Sequence, residues 1–141
     1  MGEVYVAEDT KLSRKVALKV LPPEMAGNAE RRARFEREAK AVAALDHPNI
    51  VTIHSVEEAK GVHFYTMQLV KGKTLTELIP KKGLALSKFF EIAIPLADAV
   101  SAAHEQGIIH RDLKPDNLMV GDDGRLKILD FGLAKLKPGF A

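Results

Sequence analysis

The sequence predicts an α+β protein, a small β-rich part followed by a helical part, and three observations predict it. Residues 4–69 carry four short runs of strand-forming residues around one helical pattern. KGK at 71–73 marks a change of composition, after which helical spacing dominates. Two short polar turns, HRDLKPDN at 110–117 and the one entered through ILDFG at 128–132, are set among apolar runs. The 141 residues have the length of one ordinary domain, divided at the composition change into residues 1–70 and 71–141.

Each element has its own local reason. Residues 4–7 and 15–21 are β-rich and joined by the polar stretch EDTKLSR, a hairpin pattern. The two-residue strand period puts Val16, Leu18 and Val20 on one face and Ala17, Lys19 and Leu21 on the other. Residues 28–45 follow helical spacing through Phe35, Val42 and Leu45. HPN ends that pattern, because a residue before proline leaves the α region. Residues 50–56 and 62–69 read as two more strands around EEAKG. Thr74 and Glu77 make a capping-box pattern before a short helix. Ser87 is placed to cap a longer helix reaching Gln106, with Gly107 as its stop. Pro95 lies inside that pattern and predicts a kink, since the apolar spacing continues through Leu96, Ala99 and Ala103. Residues 118–120 and 126–129 are short strands flanking the turn GDDG.

Composition narrows the function classes. A net charge of +2 gives no general case for nucleic acid or a membrane surface as partner. The absence of cysteine excludes a disulfide framework and cysteine-based zinc sites, and fits a reducing compartment such as the cytoplasm. No run of about 18 apolar residues spans a membrane. MGEVYVAEDT has neither the basic nor the apolar segment of a signal peptide. No internal repeat occurs.

Several polar residues stand where structure alone gives them little reason to be. Lys19 shares a strand face with apolar neighbours, so it either reaches out to water or meets an anion. Glu38 lies three residues after Phe35 and four before Val42, on the apolar stripe of its helix. It either pairs locally with Arg34, worth about 0.3–0.5 kcal/mol if exposed, or reaches across to Lys19 and leaves that ammonium facing a ligand phosphate. The two turns hold Asp112, Lys114, Asp116, Asn117 and Asp130. An aspartate and an asparagine are hard oxygen ligands that suit magnesium shared with substrate phosphates. An aspartate near a hydroxyl can orient it and take its proton. A nearby lysine can offset charge developing on a transferred phosphoryl group. Two solvated turns are the alternative for these residues, and DFG alone would support little more. HRDLKPDN, DFG and the upstream VALK together are a far more specific combination.

These motifs identify a resemblance. The chain resembles the eukaryotic-like serine/threonine protein kinases of bacteria: VALK at 16–19 matches the family's V-A-I-K strand with leucine for isoleucine, HRDLKPDN its catalytic loop, and DFG at 130–132 its metal-binding turn. GEVYVAED at 2–9 is similar to its second strand and DHPNIV at 46–51 to the entry to its fourth. The resemblance implies a partial protein-kinase-like fold: a small β-rich N-lobe with one long helix, then the first helices and catalytic loop of the C-lobe. It implies ATP and Mg2+ as cofactors and a protein substrate, and leaves the oligomeric state open. Lys19 would hold the α- and β-phosphates and Glu38 would hold Lys19. Asp112 would face the substrate hydroxyl, and Lys114 the γ-phosphate, with lysine there pointing to serine/threonine specificity. Asn117 and Asp130 would bind the metal. Met67 would guard the back of the adenine pocket, and Gln68, Leu69 and Val70 would line the hinge. Val4, Ala17 and Met119 would sandwich the ring, with Gly2 left from the glycine-rich loop. Val42, Ile53, His110 and Phe131 would stack as an internal spine.

The chain also departs from the family pattern. Of G-x-G-x-x-G-x-V only Gly2, Glu3 and Val4 are present, and Met1 stands where such kinases often carry an internal methionine. Nine residues follow Gly132, with no A-P-E and no Ser, Thr or Tyr for Arg111 to meet once phosphorylated. The expectation is therefore a chain truncated at both ends, with a bare edge on its first strand and a bare apolar face on residues 92–103, poorly soluble and doubtfully active alone. A nucleotide-holding regulatory module and a small-molecule phosphotransferase are the alternative readings.

Overall fold

The computed structural model describes residues 4–23, 27–110 and 112–129. They form two compact units. One takes in the described residues up to Ala44 together with Thr52–Leu69; the other takes in Leu45–Val51 and the described residues from Val70 to Leu129.

Among the described residues, the first unit is built on a four-stranded antiparallel sheet and a 15-residue helix. Strand β1 (Val4–Asp9) and strand β2 (Arg14–Val20) form the expected hairpin. The Asp9 carboxylate starts its turn by accepting from the backbone N–H groups of Lys11 and Leu12 at 3.0 and 3.2 Å. Strands β3 (Ile53–Ala59) and β4 (Val62–Met67) complete the order β1-β2-β4-β3. Helix α1 (Ala29–Ala43) is capped by Asn28, whose side chain accepts from the Arg31 N–H at 3.1 Å. It buries Phe35, Ala39 and Val42, and the Phe35 ring lies 5.7 Å from that of Tyr65 on β4. Directly opposed residues of an antiparallel pair share a face. The pairs Lys19↔Tyr65, Ala17↔Met67 and Ile53↔Met67 therefore put Lys19, Ala17, Met67 and Ile53 on the face that meets α1.

The second unit centres on a three-stranded antiparallel sheet, β5 (Gly72–Thr74), β6 (Leu118–Gly121) and β7 (Leu126–Ile128), in that order. Strand β5 overlaps the KGK stretch that marks the change of composition. Its close pairing with β6 requires glycine, because a Cβ at Gly72 would land on the Val120 carbonyl oxygen. Helix α2 (Leu75–Leu78) has the full capping box, Thr74 and Glu77 each bonding the other's backbone. Helix α3 (Leu86–Glu105) runs on through Pro95. Its N-cap is Ala85, with no side-chain bond, so Ser87 lies inside the first turn and not at the cap. Gly107, at φ 76°, ends it as expected, with its N–H on the His104 carbonyl and the Ile108 N–H on that of Ala103. The 3-10 turn η1 (Pro115–Asn117) leads into β6.

Two expectations change. The strand read over 50–56 is divided: β3 begins at Ile53, while Ile50 and Val51 join the second unit. There Val51 donates to the Ile128 carbonyl at 3.0 Å, and Ile128 donates to that of Asn49 at 2.8 Å. The α3 stretch expected to be bare is so only in part. Ile92, Ala99 and Ala103 are buried, whereas Ile94 is exposed, as are Leu86, Phe89 and Phe90 before it. Among the described residues no helix is long and apolar enough to cross a membrane.

Candidate active site

In the first unit the strand register gathers the predicted nucleotide residues. Val4 pairs with Lys19 across β1 and β2, so Val4, Ala17, Lys19 and Met67 share one sheet face. Lys19 is only 8% exposed, which excludes the reading of an edge lysine reaching water. Val4 is exposed, whereas Ala17 and Met67 are buried. Glu38 has the local partner that the simpler reading gave it: Arg34 Nε lies 3.5 Å from its Oε1. The Gln68 backbone N–H is engaged by the Thr52 carbonyl at 2.8 Å. Of the apolar spine, Val42 and Ile53 are buried here and His110 in the second unit.

In the second unit the stretch from His110 to Asn117 folds around one histidine. His110 is 4% exposed. Its Nε2 lies 2.8 Å from the Leu129 carbonyl oxygen, and its Nδ1 accepts from the Asp112 backbone N–H at 3.1 Å. A carbonyl needs a donor and an N–H needs an acceptor, so the ring is the neutral tautomer with its hydrogen on Nε2. Leu129 is held a second time, its N–H donating to the Asn117 carbonyl at 2.8 Å. The residue that leads into Asp130 is thus clamped from both ends of the catalytic-loop motif.

The same turn aims two side chains. Asn117 Nδ2 donates to the Asp112 main-chain carbonyl at 2.8 Å and lies 3.4 Å from Asp112 Oδ2. With the amide nitrogen held, the amide oxygen is the Asn117 atom left to serve as a cation ligand. The Asp112 side chain is 14% exposed, and Lys114 Nζ stands 3.7 Å from its Oδ2, a loose ion pair that leaves the lysine partly in solvent. Met119, on β6, pairs with Thr74 and Lys127. Gly2, Arg111, Asp130 and Phe131 lie outside the described residues. Leu69 and Val70 are half-buried.

Sequence reasoning misses one polar residue of this region. Thr76, on α2, donates from its hydroxyl to Oδ1 of Asp116 in η1. An exposed threonine two residues past a helix cap carries no motif, so nothing in the sequence singles it out.

Comparison with known proteins agrees with this geometry. The family model described as the protein kinase domain matches residues 1–139. The chain is 43% identical over 136 residues to a probable serine/threonine-protein kinase of Clostridium perfringens, covering 96% of this chain and 20% of that protein. It is 40% identical over 135 residues to the serine/threonine-protein kinase PrkC of Bacillus subtilis, covering 95% and 21%. The crystal structure of the PknI kinase domain of Mycobacterium tuberculosis superposes with a TM-score of 0.83 at 35% identity, covering 96% of this chain and 55% of that one. The chain thus spans about a fifth of the length of the curated relatives it matches and a little over half of the solved kinase domain. Buried Lys19, the His110-centred turn and these matches lead to one conclusion: the chain belongs to the protein kinase domain family.

Proposed function

We propose that this chain carries the nucleotide- and metal-handling part of a serine/threonine protein kinase, which transfers the γ-phosphoryl group of Mg-ATP to a Ser or Thr hydroxyl of a protein. The observation that carries the reading is the turn in which His110 and Asn117 together fix the backbone and side chain of Asp112. A carboxylate held this way can orient a substrate hydroxyl and accept its proton. Lys114, close to it and partly in water, can swing to a phosphoryl oxygen and balance charge there. The Asn117 amide oxygen is of a type that suits magnesium, and Asp130, which lies outside the described residues, would add a carboxylate. The metal, when bound, neutralises phosphate charge.

In the first unit, Lys19 holds the α- and β-phosphates. Its place on the α1 face of the sheet supports Glu38 as its partner in the active arrangement, with Arg34 as the alternative partner of that carboxylate. Val4, Ala17 and Met119 pack on adenine, and Met67 closes the back of its pocket. Backbone groups of Gln68, Leu69 and Val70 bond its edge, and Gly2 approaches the phosphates. The Gln68 N–H is already engaged, so its carbonyl is the group it offers. The setting is cytoplasmic and the partners are ATP and a protein substrate.

The test is Asp112→Asn assayed for transfer of radiolabelled phosphate from ATP to a generic protein substrate, beside a nucleotide-binding titration. Transfer should fall by roughly a hundredfold or more while ATP binding persists. Unchanged turnover would overturn the role of Asp112. Nucleotide binding with no transfer by the unmutated protein would instead favour a nucleotide-holding module.

A further inference from the structure

The turn that carries Asn117 is weakly self-supporting. It is closed by two backbone bonds, from the Asn117 N–H to the Lys114 carbonyl at 2.9 Å and from the Leu118 N–H to the Pro115 carbonyl, and Lys114 provides no side-chain cap. Such i to i+3 turns have poor intrinsic hydrogen-bond geometry. The direction of the Asn117 amide therefore depends on what holds η1 from outside. One hold is the hydrogen bond from Thr76 to Asp116, the residue next to Asn117. Thr76 comes from a well-anchored element. Four helical residues alone would be marginal in water, but α2 has a complete capping box, a buried Leu75, and a preceding strand paired to β6 through Thr74↔Met119.

We infer that Thr76 is a positioning residue of the catalytic turn. Through Asp116 it fixes η1, so that Asn117 keeps its amide nitrogen on the Asp112 carbonyl and its amide oxygen toward the cation. This rests on the kinase reading of the site and adds to it a residue outside the family's signature motifs. Thr76 touches no reacting group; it acts only through Asp116.

Two measurements test it. In the metal-free, nucleotide-free protein, the Asn117 side-chain amide should give two well-separated proton resonances with slowed exchange. Thr76→Val should move them toward free-amide values, and Thr76→Ser should restore them. With ATP present, Mn2+ binding followed by electron paramagnetic resonance should weaken roughly three- to tenfold in Thr76→Val, the scale of one lost hydrogen bond. Asp116→Ala should show the same loss, and the double variant no more than either single one. Asp116→Ala also keeps the test open if Thr76→Val does not fold. Wild-type Asn117 resonances and wild-type Mn2+ affinity in the variants, or losses that add in the double variant, would overturn the inference alone. Absence of ATP-dependent Mn2+ binding by the unmutated protein would overturn the kinase reading and the inference with it.

Discussion

At the scale of single residues, His110 does most to shape the candidate site. Both ring nitrogens are engaged with backbone groups, in a place where water has little access. His110→Ala leaves the Leu129 carbonyl and the Asp112 N–H without those bonds, and is expected to cost about 2–4 kcal/mol of stability in urea denaturation. Asn117→Asp is a sharper test of polarity than of size. A carboxylate cannot donate to the Asp112 carbonyl and sets a like charge near Asp112 Oδ2, so Mg-ATP binding should weaken although the side chain is nearly isosteric. His54 gives a pH dependence elsewhere. It sits at the register shift of β3, and partial burial followed by the charge of Arg14 lowers its pKa below the ordinary 6.5, against a smaller opposing effect of Asp9. The unfolded chain therefore binds more protons just below pH 6.5. The His54 contribution to stability is complete above that pH and fades as pH falls through the folded pKa. His54→Gln should flatten the slope of stability against pH in that window. Lys19 and Asn117 were legible from period and motif. Thr76 was not, because its role depends on a residue forty positions away.

At the scale of elements, local rules worked where the signal was chemical and failed where pairing decided. The capping box, the glycine stop of α3 and the β1–β2 hairpin follow from residue types at fixed offsets. Strand β5 does not: in Gly-Lys-Thr only the threonine favours β structure, and the approach of β6 makes it a strand. Gly72→Ala should separate the two, lowering the stability of the second unit by about 1–3 kcal/mol and speeding hydrogen exchange along β6. The start of α3 was misplaced by two residues, because Ser87 is a better cap than Ala85 by type but lies within the first turn. An extended Ala85 without a capping side chain can be improved. Ala85→Asp should raise the thermal midpoint, with a gain of about 0.5–1 kcal/mol.

At the scale of the whole molecule, apolar surface remains outside. Helix α3 buries one stripe through Ile92, Ala99 and Ala103, yet Leu86, Phe90 and Ile94 form a second, exposed stripe four residues apart. Tyr5 and Val6 on the outer strand β1 are also exposed. The protein should therefore self-associate as its concentration rises, with sedimentation velocity as the measurement. Phe90→Glu with Ile94→Glu should return it to a slower-sedimenting species. The general plan, strands around a helix and then helices around a polar turn, was legible because each part carries its own periodicity. That Leu45–Val51 belongs with the later unit was not, since bridging Ile50 to Ile128 is a long-range choice that no local pattern encodes.

That bridge bears on how the chain matures as it leaves the ribosome. Asn49 gives its side-chain amide to the Leu126 carbonyl, 77 positions downstream, and the backbones of Asn49 and Val51 grip Ile128 from either side. This early segment must wait through the synthesis of the 77 residues that separate it from its partner before that partner emerges, a loop closure that slows folding and leaves apolar Ile50 and Val51 uncovered meanwhile. During that interval the nascent polypeptide offers chaperones a ready target.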